Sequence, residues 1–275
     1  MKLVTDATQV LSAIQTVKSA GAGFSTNFFA APQKIKEWIE HAELFSDLRD
    51  EATLLFRKDR DFWHLYFAAV NNSTLLWELQ NAPALDSVPL VVDLIGHEAA
   101  LGELVKLFED VGYRRYTRLF RMAFLPFAGS VRNATPLDER VTWASSADCV
   151  SILDLLSLSF DRYAEQLPAL HEIETAVANR QIFVAKHGAQ LAGLLFFETQ
   201  GFTSLLRYWL VAPEFRDQHF GSILMHRYLT DQVNVRRFIL WVIADNAAAI
   251  RKYRHYGFVP DDLVDHVLVN ARISA

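Results

Sequence analysis

Apolar and polar positions along the chain fall into segments of definite period, and these segments alternate between strand and helix. The later part is the more sharply marked. Val141–Ala144 reads as a short strand. Ser145 or Ser146 can cap a helix carrying Val150, Leu153, Leu156 and Phe160 on one face. Pro168 opens a second helix that runs to about Asn179. Ile182–Ala185 is a β-branched and aromatic run, followed by a His187-Gly188 turn and strands over Leu191–Thr199 and Ser204–Val211. A helix is expected from about Gly221 to Val233. Phe238–Ala244 is an uninterrupted apolar strand of the kind buried on both faces. A helix over Asn246–Tyr256 and a strand over Val264–Ala271 close the order β-α-α-β-β-β-α-β-α-β.

The earlier part follows a partly matching order. Helices fit Ala7–Lys18 and Pro32–Leu44, and Ala52–Lys58 and Phe62–Val70 fit a hairpin joined through Asp59-Arg60-Asp61. Ser73–Gln80 has helical character. Pro89–Ile95 is an apolar strand, Glu98–Val111 a helix stopped at Gly112, and Arg114–Phe124 an alternating strand. The stretch from Leu90 to Tyr113 echoes the stretch from Leu240 to Phe258: an apolar strand, a helix, then glycine beside an aromatic residue. A diverged internal duplication and a commonplace strand–helix–glycine pattern both account for the echo.

Pro126, Gly129, Ser130, Asn133 and Pro136 fall in an interval without periodicity, which places a linker at about 126–139. The expected domains are 1–128, a smaller α/β domain, and 138–275. The 275 residues suffice for one large or two ordinary domains, and 51% hydrophobic with 21% charged residues is a globular composition. A net charge of −5, with no basic cluster longer than Arg114-Arg115, argues against a nucleic-acid footprint. The only cysteine, Cys149, sits among apolar neighbours and reads as a small core residue. Scattered histidines give no metal-ligand spacing, so no metal is expected. The start, Met1-Lys2-Leu3-Val4-Thr5-Asp6, lacks a signal-peptide core, and no apolar run approaches the ~20 residues of a membrane span. A cytoplasmic protein without membrane partners is the expectation.

Two segments carry the candidate chemistry. The first runs from Leu210 and Val211 through Ala212-Pro213-Glu214-Phe215 to Arg216-Asp217-Gln218-His219-Phe220-Gly221-Ser222. A strand, a polar turn and a helix start point backbone N–H groups at one spot, at the positive end of the helix, which suits a phosphate or pyrophosphate. Gly221 lets a ligand come close to the backbone and Arg216 adds charge; an ordinary strand-to-helix loop fits the same residues. The second segment runs from Asn246 to Phe258. Asn246 suits a helix N-cap, Gly257 suits the left-handed position past the C-terminus, and Ala249, Ile250 and Tyr253 share a face.

Together these segments resemble the GCN5-related N-acetyltransferase (GNAT) superfamily. Its pyrophosphate loop, Arg/Gln-x-x-Gly-x-Gly/Ala after a strand ending in Val-x-Pro, is matched by Val211, Pro213, Arg216 and Gly221, with His219 in place of the first glycine. Its later motif, Asn-x-x-Ala-x-x-x-Tyr-x-x-x-Gly-Phe, is matched in full by Asn246, Ala249, Tyr253, Gly257 and Phe258. The resemblance covers about residues 140–270. It implies a mixed-sheet α/β acyltransferase fold there, preceded by a smaller α/β domain for which a degenerate copy of the same fold is one of two readings.

The resemblance further implies acyl transfer from acetyl-CoA, as co-substrate, to a primary amine of a small molecule or peptide. Tyr253 takes the role of acid for the departing thiolate. Leu210 and Val211 hold the pantetheine arm, Arg216, Asp217, Gln218, His219, Phe220, Gly221 and Ser222 hold the pyrophosphate, and Asn246 and Ala249 complete the donor site. Many members carry a glutamate as base on the strand that here reads Ser204–Leu210 and has no carboxylate. Glu198 on the preceding strand is a candidate base, with a solvent-facing role equally open to it and a water chain or a low-pKa acceptor serving as well; Tyr208 and Trp209 are candidates either to line the acceptor site or to fill the core, and Arg207 a partner for either an acceptor carboxylate or Glu198. Two alternatives stay open: a donor carried by an acyl carrier protein, which the missing loop glycine fits, and a module that binds acyl-CoA without catalysis, against which the intact Tyr253 motif argues. The first half, lacking both motifs, can close the acceptor cleft or form a homodimer surface.

Overall fold

The computed structural model describes residues 1–21, 23–82, 88–126 and 138–270. The expected linker at about 126–139 lies almost wholly outside them. The chain divides into two compact units: unit 1 is Met1–Leu119 with the C-terminal segment from Asp262, and unit 2 is Phe120–Asp261.

Unit 1 contains β1 (Lys2–Leu3), α1 (Ala7–Ala20), β2 (Ser25–Thr26), α2 (Pro32–Glu40), β3 (Leu44–Leu48), β4 (Ala52–Asp59), β5 (Phe62–Ala69), α3 (Asn72–Gln80), β6 (Leu90–His97), α4 (Glu98–Asp110) and the beginning of β7 (Tyr113–Phe124). Its strands lie in the order β1-β3-β4-β5-β6-β13, where β13 (Val259–Asn270) enters from Asp262 onward. The β5–β6 pair is parallel and the β6–β13 pair antiparallel. Helices α3 and α4 cover one face through Leu75, Leu101, Val105 and Phe108, packed on Leu54, Phe56, Phe67 and Val92. On the other face α1 and α2 bring Val10, Ile35 and Trp38 against Leu55 and Tyr66.

Unit 2 contains β8 (Val141–Trp143), a 3-10 turn (Ser146–Asp148), α5 (Cys149–Ser159), α6 (Leu170–Ala178), β9 (Ile182–His187), β10 (Gln190–Gln200), β11 (Thr203–Val211), α7 (Phe220–Asp231), β12 (Arg237–Ile243) and α8 (Ala247–His255). Its strands lie in the order β8-β9-β10-β11-β12. Helix α7 packs Leu224, Met225 and Tyr228 on one face, against Phe183, Phe197 and Phe238. Helices α5 and α6 pack Cys149, Ile152, Leu156 and Ile173 on the other, against Val184, Leu194, Phe196 and Tyr208. Apart from β2, the two halves of the chain, β1 to β7 and β8 to β13, run through one succession, β-α-α-β-β-β-α-β-α-β, and each pairs its fourth and fifth strands in parallel. The echo between the two halves is therefore a repeat of fold. Among the described residues no helix is long and apolar enough to cross a membrane.

Some elements depart from the sequence pattern. Helix α2 stops at Glu40, Ala42 turns through a φ of 55°, and Leu44–Leu48 forms a strand on β4 where the pattern suggested continuing helix. In α5 the buried stripe is Cys149, Ile152 and Leu156, while Val150 is 59% exposed, so the helix is turned from the expected face. The apolar run of β12 is buried on one face only, through Phe238, Leu240 and Val242. The α5–α6 cluster draws its strand residues from β9, β10 and β11, which leaves Ile239, Trp241 and Ile243 half-buried.

Candidate functional site

The site begins where two parallel strands of unit 2 part. β11 and β12 are paired from Thr203↔Arg237 to Leu206↔Leu240, and β11 then continues to Val211 without β12. On its other edge β11 stays with β10, but Phe196 lies opposite Tyr208 and Phe197 opposite Leu206. Arg207 is thus an extra residue, a β-bulge, and a bulge bends its strand and turns successive side chains to the other face. Leu206 accordingly packs with the α7 cluster and Tyr208 with the α5–α6 cluster. The edge of β11 from Arg207 to Val211 is left with backbone groups that a ligand can use. Gly193 on β10 supports this bend: a β-carbon there would stand 2.7 Å from the Leu210 carbonyl oxygen, so only glycine fits without moving the strand.

Past Val211 the chain makes a short 3-10 turn (Pro213–Phe215) and enters α7. The Arg216 N–H reaches the Pro213 carbonyl and the Ile223 N–H reaches the His219 carbonyl. Between them, among the described residues, the N–H groups of Asp217, Gln218, His219, Phe220, Gly221 and Ser222 have no acceptor. Such a run at a helix N-terminus binds anions, through direct hydrogen bonds and through the helix dipole. Asp217 (φ 65°) and His219 (φ 64°) both sit in the left-handed region, which gives the loop its concave turn. His219 therefore adopts the backbone conformation of the glycine it replaces, and histidine is among the residues that enter this region more readily than most. A β-carbon on Gly221 would meet Trp209 and Val211 at 3.5 Å, ordinary contact, so Gly221 leaves the cradle open rather than relieving a clash. The Phe220 side chain is only 1% exposed, packed near Phe215 and His187, so it offers a ligand its amide alone. Arg216 is exposed beside the loop, with Glu214 and Asp217 of opposite charge nearby in sequence.

Helix α8 supplies the phenol. Asn246 caps it, with Oδ1 accepting from the Ala249 N–H at 3.0 Å, and its side-chain nitrogen has no partner among the described residues. Gly257 ends the helix at φ 88°, where glycine avoids the steric penalty of a side chain. Ala249, Ile250 and Tyr253 pack on the α7-side core, with the Tyr253 ring 5.7 Å from Trp209 and 6.1 Å from Phe258. Its hydroxyl makes no hydrogen bond among the described residues. Burial, and then the charge of Glu165, push this phenol well above the usual tyrosine range, so it stays protonated at neutral pH.

The remaining candidates separate. Arg207 donates to Glu198 at 2.8 Å, so between its two expected partners it is held by the glutamate. Trp209 turns to the α7 side and donates its indole N–H to the Gly221 carbonyl at 3.1 Å, which fixes the first turn of α7 to β11. Tyr208 is buried and its hydroxyl is 2.8 Å from the carbonyl oxygens of both Glu165 and Gln166. That bond pins the loop between α5 and α6 over the bulge. Glu165 is the residue that sequence patterns pass over: it lies in a segment without periodicity, marked only by a charge between Tyr163 and Leu167. Burial is the main cause that pushes its carboxyl up to about 7.

Unit 1 handles the same position differently. β5 and β6 are paired at Trp63↔Leu90 and His64↔Val91, and then β2 pairs with β5 at Ala68 and Ala69. Beside it, the Asn27 side chain donates to the carbonyls of Leu65 and Asp93 at 3.0 Å each and accepts from the Phe67 N–H at 2.7 Å. The strand edges that stay open in unit 2 are here satisfied by the chain itself.

Comparison with known proteins agrees with this geometry. Residues 149–258 match the model of the acetyltransferase (GNAT) family. Among solved structures, the fold is similar to a GCN5-related N-acetyltransferase from Sphaerobacter thermophilus, with a TM-score of 0.58 at 15% identity over 87% of this chain and 85% of that one. It is similar end to end to a tandem GNAT protein from the clavulanic acid biosynthesis pathway, with a TM-score of 0.61 at 15% identity over 98% and 96% of the two chains. A GNAT-family acetyltransferase from Colwellia psychrerythraea gives a TM-score of 0.56 at 11% identity over 98% and 97%. No curated protein matches the chain. At these identities the structures speak to fold, and the family model to residues 149–258 alone: that stretch carries the match to the GNAT acetyltransferase family, within a fold shared with GNAT structures over most of the chain.

Proposed function

We propose that the chain is an N-acyltransferase that moves an acetyl group from acetyl-CoA to a primary amine by direct attack, with no covalent enzyme intermediate. One observation carries the reading: the parted edge of β11 leads directly into six adjacent N–H groups without acceptors, with a protonated phenol on the neighbouring helix. The amides of Asp217–Ser222 suit the pyrophosphate of the donor. The free edge of β11 from Arg207 to Val211 suits the amides of the pantetheine arm, and its N–H groups can polarise the thioester oxygen. The left-handed His219 keeps the cradle's shape, which favours a nucleotide-bearing donor over a carrier-protein thioester.

Much of the rate would come from holding amine and thioester together. The amine lone pair attacks the carbonyl carbon, the C–S bond breaks, and Tyr253 gives its proton to the departing sulfur. A thiol of ordinary pKa ~8.5 is the more acidic group in water. In this site, desolvation penalises the thiolate as it does the phenolate, so both are driven toward their neutral forms. The test is release of free thiol from acetyl-CoA across a panel of amines, with the wild-type chain. Amine-dependent release supports the reading; acetyl-CoA binding without release for any amine points instead to a binding module.

A further inference from the structure

Resting on that reading, the geometry points to Glu165 as the base that receives the proton of an acceptor ammonium, with Tyr253 as the acid. Four observations support this role. The α5–α6 loop is fixed over the bulge by Tyr208, whose hydroxyl reaches both the Glu165 and Gln166 carbonyls, and Gln166 turns through a φ of 43°. Glu165 Oε2 accepts from the Asp161 N–H at 3.2 Å, while Oε1 takes no hydrogen bond among the described residues. The residue as a whole is half-buried. The charge of Glu165 contributes to holding the phenols of Tyr208 on β11 and Tyr253 on α8 above the usual tyrosine range.

Other groups do not compete for the role. Glu198 of β10 is held by Arg207. Glu172 of α6 is buried and accepts from the Ala169 N–H at 2.8 Å, a cap on its own helix. Asp161, in the same loop, accepts from the N–H groups of Tyr163 and Ala164. Among charged groups, Asp161 of the same loop acts on Glu165, and that loop also carries Arg162. A carboxyl held near neutrality can take a proton from an ammonium and return it to solvent. The balance is as follows. One ammonium proton passes to Glu165, and the freed lone pair forms the C–N bond. The C–S bond breaks as the Tyr253 proton passes to sulfur. The second nitrogen proton restores Tyr253, and Glu165 releases its proton between turnovers.

The test compares wild type with Glu165→Gln and Glu165→Asp, in full-length protein, for acetyl-CoA binding by calorimetry and for kcat and KM over pH. Glu165→Gln should bind acetyl-CoA as wild type does and lose about 100-fold or more in kcat near neutrality. Its acid limb should move up toward the amine's own pKa, and Glu165→Asp should recover part of the rate. An unchanged pH profile and kcat in Glu165→Gln overturns the assignment while leaving acetyl transfer intact. Failure of wild type to bind acetyl-CoA overturns the functional reading and this one with it.

Discussion

Tyr253→Phe removes one oxygen and nothing else of structural weight. The ring contacts with Trp209 at 5.7 Å and Phe258 at 6.1 Å are kept by phenylalanine. The hydroxyl has no hydrogen-bond partner among the described residues, so its loss leaves no buried group orphaned, and the expected change in stability is within about 0.5 kcal/mol. The proposed donor cradle is the run of backbone amides of Asp217–Ser222, and the hydroxyl makes no hydrogen bond to it. Proton transfer by a positioned acid is worth roughly 100-fold to 10,000-fold. The variant should therefore lose about 100-fold or more in kcat, which is ~2.7 kcal/mol of transition-state stabilisation. Its acetyl-CoA affinity and melting temperature should match wild type. Thiol-release kinetics, calorimetry and thermal melting on the same preparation separate the three quantities. Wild-type kcat in the variant would refute the acid role; a fall in donor affinity equal to the fall in kcat/KM would show that the hydroxyl serves binding instead.

Asn27→Ala should destabilise unit 1 by about 2–4 kcal/mol, because it strips partners from the Leu65 and Asp93 carbonyls and the Phe67 N–H; urea unfolding measures it, and a loss within error would show that these groups find other partners. Asp265 is buried on β13, and burial and then repulsion from Asp93 hold its carboxyl well above the usual carboxylate range. An acid with a raised folded pKa binds its proton more tightly when folded, so this contribution is full below the unfolded value of about 3.9 and is lost as pH rises toward the folded one. Asp265→Asn should accordingly flatten the fall in stability with rising pH, and a slope equal to wild type would contradict the assignment.

The two segments proposed to hold the donor stood out because their signals are local. The cap at 246 and the left-handed glycine at 257 each record a backbone need within a few residues. The succession of elements followed from periodicity for the same reason. What sequence could not supply depends on contacts distant in the chain. Nothing in Ile39–Leu44 punctuates the end of α2; the stop comes from pairing of Leu44–Leu48 with β4, which overrides local propensity. The phase of α5 was set by which strands lay beneath it: Cys149 and Ile152 meet β9 and β10 residues where Val150 meets solvent. Glu165 is the sharpest case. Its environment is made by Tyr208 and Tyr253, 43 and 88 positions further along, and no spacing rule reaches that far. The self-satisfied strand edges of unit 1 likewise depend on Asn27 meeting β5 and β6 in space.

The most direct measurement is calorimetric titration of acetyl-CoA into the wild-type chain and into Gly221→Glu. Residue 221 tolerates a β-carbon at 3.5 Å from its neighbours, and a glutamate in the first turn of α7 suits the helix dipole, so the variant should fold. Its carboxylate would occupy the amides meant for the pyrophosphate. One coenzyme bound per wild-type chain, and none in Gly221→Glu, is the expected result, since unit 1 closes the equivalent edges with Asn27. Undiminished binding in Gly221→Glu, or two coenzymes per wild-type chain, would contradict it.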